Sequence, residues 1–285
     1  MFSSQKWKTV DKGMARLPGA FKPIVGDDLK YYRKIQKVDY LPHGNKVQIS
    51  WKNHYTDCEF QKAAYDHTFI AVPFTVVRKW KLPEFSPTLG HAISLLMYQS
   101  ACKVALEFKS RFWEHLDRPI FGSCNTKTDI PGLGDICYPG FNLNSTGPAV
   151  VLGSYNKDDY GERWVSTPED EHAQYVLEGL VQLHGEVARE EYTGRLKRLC
   201  WIGEESNAGG SWAFPSVGQH ELYILAYFST ENNIIFIGEH TSYTHSWTSA
   251  LESAVRGSVQ LLLEFGLVDE AKEITRKWMG KWITV

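Results

Sequence analysis

Residues 234–253 read Ile234-Ile235-Phe236-Ile237-Gly238-Glu239-His240-Thr241-Ser242-Tyr243-Thr244-His245-Ser246-Trp247-Thr248-Ser249-Ala250-Leu251-Glu252-Ser253. An apolar run of strand character stops at a glycine and a carboxylate, passes through hydroxyls and histidines, and turns into a helix. Gly238 leaves the backbone room to approach a ligand, and Glu239 stands at the carboxyl end of the strand, where open α/β sheets bind ligands. Ser249 to Glu252 has the capping-box spacing, and Ala250, Leu251, Ala254, Val255, Val259 and Leu262 predict an apolar stripe. The helix N-terminus favours negative charge in the loop by a few tenths to about 2 kcal/mol, depending on burial. On these residues alone the stretch reads as a ligand site or as a well-capped loop.

Working outward, 285 residues give one large or two ordinary domains with a sizeable core. A net charge of -2 with 22% charged residues lacks the basic excess of a nucleic-acid binder. The opening Met1-Phe2-Ser3-Ser4-Gln5-Lys6-Trp7-Lys8 has no apolar leader core, and no segment approaches the roughly 18 apolar residues of a membrane span. The expectation is a soluble, cytoplasmic protein without membrane or nucleic-acid partners. Cys58, Cys102, Cys124, Cys137 and Cys200 are scattered with no CxxC spacing, which predicts reduced thiols and no structural zinc. Ten tryptophans can line an apolar pocket as well as fill a core.

Upstream, residues 13–21 read as a loop into a short helix that stops at Gly26. Residues 31–40 and 47–51 predict two strands around a turn at His43-Gly44-Asn45, and 68–73 a strand buried on both faces. Helical spacing covers 89–100. In 101–108, Cys102, Val104, Leu106 and Phe108 form one apolar strand face, and Lys103 sits between Ala101 and Ala105 on the other. Those small neighbours leave room for a ligand, or the face is simply solvated. Residues 134–140 read as turn-rich, 149–154 as a strand, and 167–187 as a helix with acids in its first turn. No linker divides the chain, so a second domain would be an excursion of the first.

Several chemistries are excluded by pattern. Gly132-Leu133-Gly134 lacks the third glycine and preceding strand of a GxGxxG turn, and neither GxxxxGK[ST] nor GxSxG occurs. Glu239, His240 and His245 have no metal-ligand spacing, and none is expected to hold a metal.

The stretch from Ile234 to Ser258 closely resembles the last strand, loop and helix of flavin-dependent amine oxidases, particularly L-amino acid oxidases. Residues 13–21 are similar to that family's GGM-x-x-LP-x-A segment, 101–114 to its lysine-bearing strand, and Trp201 to Gly210 has a counterpart too. The resemblance is collinear over nearly the whole chain. It implies a mixed α/β fold: an incomplete, discontinuous FAD-binding domain over 1–92 and 226–285, and an antiparallel-sheet substrate domain over 93–225. It further implies that Glu239 bonds the FAD ribityl or ribose, with Gly238, Trp247 and Thr248 around the ring and the helix N-terminus favouring charge on the reduced flavin. Ile35 would contact the adenine through its backbone. Lys103 would hold a water at the flavin and assist reoxidation by oxygen. Tyr138 would bind the substrate carboxylate, and Trp201, Gly210, Ser211 and Ser246 would line the substrate cage.

The implied activity is oxidative deamination of an L-amino acid to a keto acid, ammonia and hydrogen peroxide. An amine or polyamine oxidase and a non-catalytic fragment are the alternatives. The family's GxGxxG unit and its carboxylate-binding arginine are missing, and Ser246 replaces a commoner glycine. A separate N-terminal chain, or a homo-oligomer, is therefore the expected partner besides substrate and oxygen.

Overall fold

The computed structural model describes residues 10–54, 56–203, 210–244 and 246–279. Strands β1 (Lys34–Leu41), β2 (Lys46–Lys52) and β3 (Gln61–Tyr65) form an antiparallel sheet in that order. Asn45, at φ 49, supplies the left-handed residue that closes the predicted turn between β1 and β2. Strand β4 (Thr68–Ile70) runs parallel to β12 (Ile234–Phe236). Every residue of β12 is buried, but Phe69 is exposed, so the two-faced burial expected for 68–73 fails in β4. The helix Pro87–Leu95 ends short of its predicted span because 98–99 form β5, which pairs with β11 (Trp212–Ala213).

A second antiparallel sheet has the order β10-β6-β9-β8-β7, with β6 at Ala101–Phe108, β7 at Ser123–Lys127, β8 at Asp135–Tyr138, β9 at Ala149–Lys157 and β10 at Tyr192–Cys200. β8 replaces the turn predicted around 134–140. Its hydrogen-bonding neighbours overrode the turn signal of the flanking glycines. The helix Glu169–His184 packs on one face of this sheet, stopping at Gly185 with φ 82.

Two hydrophobic cores result. One joins Val38, Phe74 and Leu89 to Ile234 and Phe236, and the other joins Val104, Leu106 and Phe108 to Trp113, Val176 and Leu180. The second is built from an excursion between the chain segments that make the first.

Two expectations are corrected. Four of the five cysteines form disulfides, Cys102–Cys200 and Cys124–Cys137, and Cys58 alone is free. Spacing along the chain could not reveal pairs created by the sheet: Cys102 faces Cys200 directly across β6 and β10. The reduced-thiol reading is therefore withdrawn. The helix Trp247–Glu264 starts before the supposed capping box, with Ser246 as its N-cap residue. It buries Ser249, Ser253, Arg256 and Gly257, while Leu251 of the predicted stripe is exposed. The reason is proximity. A Cβ on Gly257 would lie 2.7 Å from Ile237 and 3.0 Å from Phe69, so only small residues fit where the helix crosses β12 and β4. Among the described residues no helix is long and apolar enough to cross a membrane.

Candidate functional site

At the end of β12, Gly238 adopts φ 121, a region nearly closed to residues with a Cβ. A Cβ there would come within 2.6 Å of the His240 ring. The glycine thus makes room for the protein's own imidazole, which packs edge-on against Phe74 with centroids 4.4 Å apart. The expected close approach of a ligand is not what requires it. The Gly238 amide donates to Ser253 Oγ at 2.8 Å, which ties the loop to the helix. Glu239 Oε1 accepts from the Ala213 amide at 2.9 Å.

That last bond carries the site toward the second sheet. Ala213 pairs with Tyr98 and Trp212 with Gln99, while the Ser211 amide donates to the Gln99 carbonyl at 2.8 Å. Gly210 lies against Tyr98, whose ring a Cβ would meet at 2.8 Å. The Ser211 hydroxyl is buried without a hydrogen-bond partner among the described residues. Four residues beyond Gln99 comes Lys103, on the face of β6 opposite Val104. Its Nζ stands over two rings, 4.3 Å from the centroid of Tyr155 and 5.3 Å from that of Trp201. Burial first, and then the charge of Lys157, pushes the Lys103 ammonium below its ordinary value.

Other expected residues stand elsewhere. Trp247 and Thr248 are exposed in the first helical turn, where the Ser246 and Thr248 hydroxyls bond at 2.6 Å. Ile35 is half-buried in β1, packed on the first core beside a bulge in its pairing with β2. Tyr138 lies on the opposite side of the sheet from Lys103. With Ile136 it points into the second core, its hydroxyl bonded to His184 Nε2 on the helix side, while Cys137 takes the other face. Period-two alternation in β8 separates Tyr138 from Lys103 by the thickness of the sheet. Gly209 and His245 lie outside the described residues.

Sequence reasoning missed Arg256. Buried beneath the loop, it donates to the Phe236 carbonyl at 3.2 Å, to Thr241 Oγ1 at 2.8 Å, to the Tyr227 carbonyl and to Gln260. Burial pushes its guanidinium down to about 10. An arginine next to Val255, within the predicted apolar stripe, was the available signal.

On the helix face, His172 stacks on Trp164 with centroids 4.0 Å apart. Burial, with a smaller contribution from Arg198, pushes it down to about 4. The folded chain therefore holds it neutral where the unfolded chain would protonate it. Stability present at neutral pH is lost as pH falls from 6.5 toward 4, by about 2 kcal/mol between pH 8 and pH 5 for this residue. Urea midpoints at the two pH values, compared with His172→Gln, measure it. Equal pH sensitivity in both proteins would contradict the assignment.

The sequence profile described as flavin containing amine oxidoreductase matches residues 1–262. The chain belongs to the flavin-containing amine oxidoreductase family. Within it, the chain is 53% identical over 292 residues to an L-amino-acid oxidase of Neurospora crassa, spanning 100% of this chain and 42% of that protein. A putative L-amino-acid oxidase of Bacillus subtilis is 34% identical over 86% of the chain and 50% of its own length. The chain thus spans about half or less of the curated relatives it matches. Among solved structures, the cyclohexylamine oxidase of Brevibacterium oxydans superposes with a TM-score of 0.66 at 15% identity, covering 93% of this chain and 53% of that one. A putrescine oxidase bound to putrescine gives 0.66 at 16% identity, with the same coverage. At such identities these two establish the shared amine-oxidoreductase fold.

Proposed function

We propose that this chain forms one part of an FAD-dependent oxidase acting on L-amino acids, with 1–92 and 226–285 on the cofactor side and 93–225 on the substrate side. The observation that carries this is the placement of Glu239, bonded to the Ala213 amide, beside the β5–β11 pair, which ends four residues before Lys103 and its contact with Trp201. The residues present fit one side of FAD. The 18-residue helix presents an N-terminus without an acid beside the Glu239 loop, where a negatively charged group is favoured. When bound, FAD supplies the two-electron acceptor that converts an amino acid to an imino acid, hydrolysed to keto acid and ammonia, with oxygen leaving as hydrogen peroxide.

Within that site Glu239 would hold ribityl or ribose hydroxyls, Trp247 and Thr248 would flank the ring, and Ile35 would meet the adenine. Lys103 would fix a water, and Trp201, Gly210, Ser211 and Ser246 would enclose the amine. The amino-acid preference is supported by the two relatives named L-amino-acid oxidases. Tyr138 no longer supports it, because its hydroxyl is spent on His184 behind the sheet. That orientation favours the second reading, an amine or polyamine oxidase.

The sequence contains no GxGxxG turn for the pyrophosphate. We expect the purified chain to remain colourless with added FAD, and to become yellow and peroxide-producing only with the complementary N-terminal portion. Absorbance at flavin wavelengths and peroxide assays with L-amino acids and simple amines test this. Colour in the isolated chain would refute the need for that portion. No colour in the combination would favour the non-catalytic reading, and turnover of amines alone the second one.

A further inference from the structure

The Cys102–Cys200 disulfide closes a separation of 98 residues directly behind the Lys103 cage. Cys200 is the last paired residue of β10, and Cys102 is its partner in β6. The residue that follows each cysteine is a cage member on the opposite face: Lys103 after Cys102, Trp201 after Cys200. The disulfide is therefore the covalent tie that sets where those two side chains begin.

Two independent features equip the pair for exchange. Cys200 lines a cavity of about 250 Å³ with Val165, Glu169, Arg198 and Gly203. The Arg198 guanidinium, which donates to the Thr167 and Val165 carbonyls, favours an anionic thiolate entering that cavity, and the Glu169 carboxylate, which accepts from the Arg198 amide at 3.0 Å, opposes it in part. On the inner side, His172 Nδ1 lies 4.0 Å from Cys102 Sγ, within reach of a released thiol. We propose that Cys102–Cys200 is a redox modification site, opened by dithiol reductants and closed by peroxide, whose state sets the spacing and exposure of Lys103 and Trp201.

The chemistry balances. A reductant thiolate attacks Cys200 Sγ from the cavity, the sulfur–sulfur bond breaks, and Cys102 leaves as a thiolate that takes up a proton. The second reductant thiol then displaces Cys200 and closes the reductant's own disulfide. Two electrons and two protons have reached the protein. In the reverse direction the Cys200 thiolate breaks the oxygen–oxygen bond of a peroxide, giving a sulfenic acid and one water. Cys102 displaces the second water as the disulfide re-forms. Hydrogen peroxide is the product of the proposed oxidation, so the consequence for turnover rests on that reading, although the thiol chemistry does not.

The test uses the whole chain without denaturant. After equilibration with dithiothreitol, free thiols are trapped with N-ethylmaleimide and assigned by mass spectrometry, and Lys103 is labelled in parallel with an acylating reagent. The expected result is that Cys102 and Cys200 open together while circular dichroism is unchanged, and that hydrogen peroxide restores them. Lys103 acylation should run about threefold faster in the reduced form, as its amine gains access. The C102A/C200A variant should label at the reduced rate whatever the redox buffer. If that variant does not fold, wild-type trapping decides alone. Thiols that appear only on unfolding, a Lys103 rate indifferent to their state, or a reduced protein that retains zinc and does not reoxidise would each overturn the proposal. Failure of the flavin reading looks different: no flavin colour in any combination, with Lys103 labelling still redox-dependent.

Discussion

Replacing Arg256 with alanine is expected to cost about 2 to 4 kcal/mol of folding stability, because the buried Phe236 carbonyl loses a donor and the Tyr227 carbonyl keeps only Gln260. The Phe236 and Tyr227 carbonyls both point at this guanidinium, and Thr241 Oγ1 takes a third bond. Phe236, Tyr227 and Thr241 are all buried, so these acceptors lie away from solvent. The change also loosens the end of β12, where Gly238 and Glu239 begin. By contrast, Leu251→Ala should fall within about 0.5 kcal/mol of the parent, since Leu251 is 51% exposed. Urea denaturation of the two variants decides between the helix face read from sequence and the one observed. A larger loss for Leu251→Ala would sink the structural assignment.

That contrast marks what the sequence carried and what it did not. Strand β6 was legible to the residue, because Cys102, Val104, Leu106 and Phe108 alternate strictly with small or charged neighbours and strand period is a local property. The β1–β2 hairpin was legible for the same reason, helped by Asn45 at its turn. The C-terminal helix announced itself, but not its buried face. Hydrophobicity chose Leu251, whereas close packing on β12 demanded Ser253 and Gly257. The face that Tyr138 takes and the unforeseen disulfides share one cause. Both depend on how strands pair across the sheet: Cys137 against Leu152, β7 against β8 for Cys124–Cys137, and Cys102 against Cys200 across a separation of 98 residues. No local pattern encodes such a register, and it decides which side chains share a face. The candidate site was therefore legible as a set of residue types, while its division between two faces was not.

Substituting Lys103 by methionine should lower oxygen-dependent turnover of the FAD-bearing assembly by about 100-fold, the scale of losing one positioned proton-handling group. The side chain is held by its surroundings: Tyr155 lies opposite it on β9, and Trp201 covers its end. Burial and Lys157 both disfavour the ammonium, so Lys103 gives up a proton to a bound water more readily than a solvated lysine does. Methionine keeps the length and the apolar contacts with both rings but has no hydrogen to donate. Stability should consequently change by less than about 0.5 kcal/mol, whereas a lysine serving only to pack the cage would predict intact turnover. Measuring oxygen uptake beside anaerobic bleaching by substrate separates the two roles further. A positioned water matters for the oxygen step, so oxygen uptake should collapse while bleaching persists. Loss of both together would instead place Lys103 in substrate binding, on the side of Trp201 and Ser211.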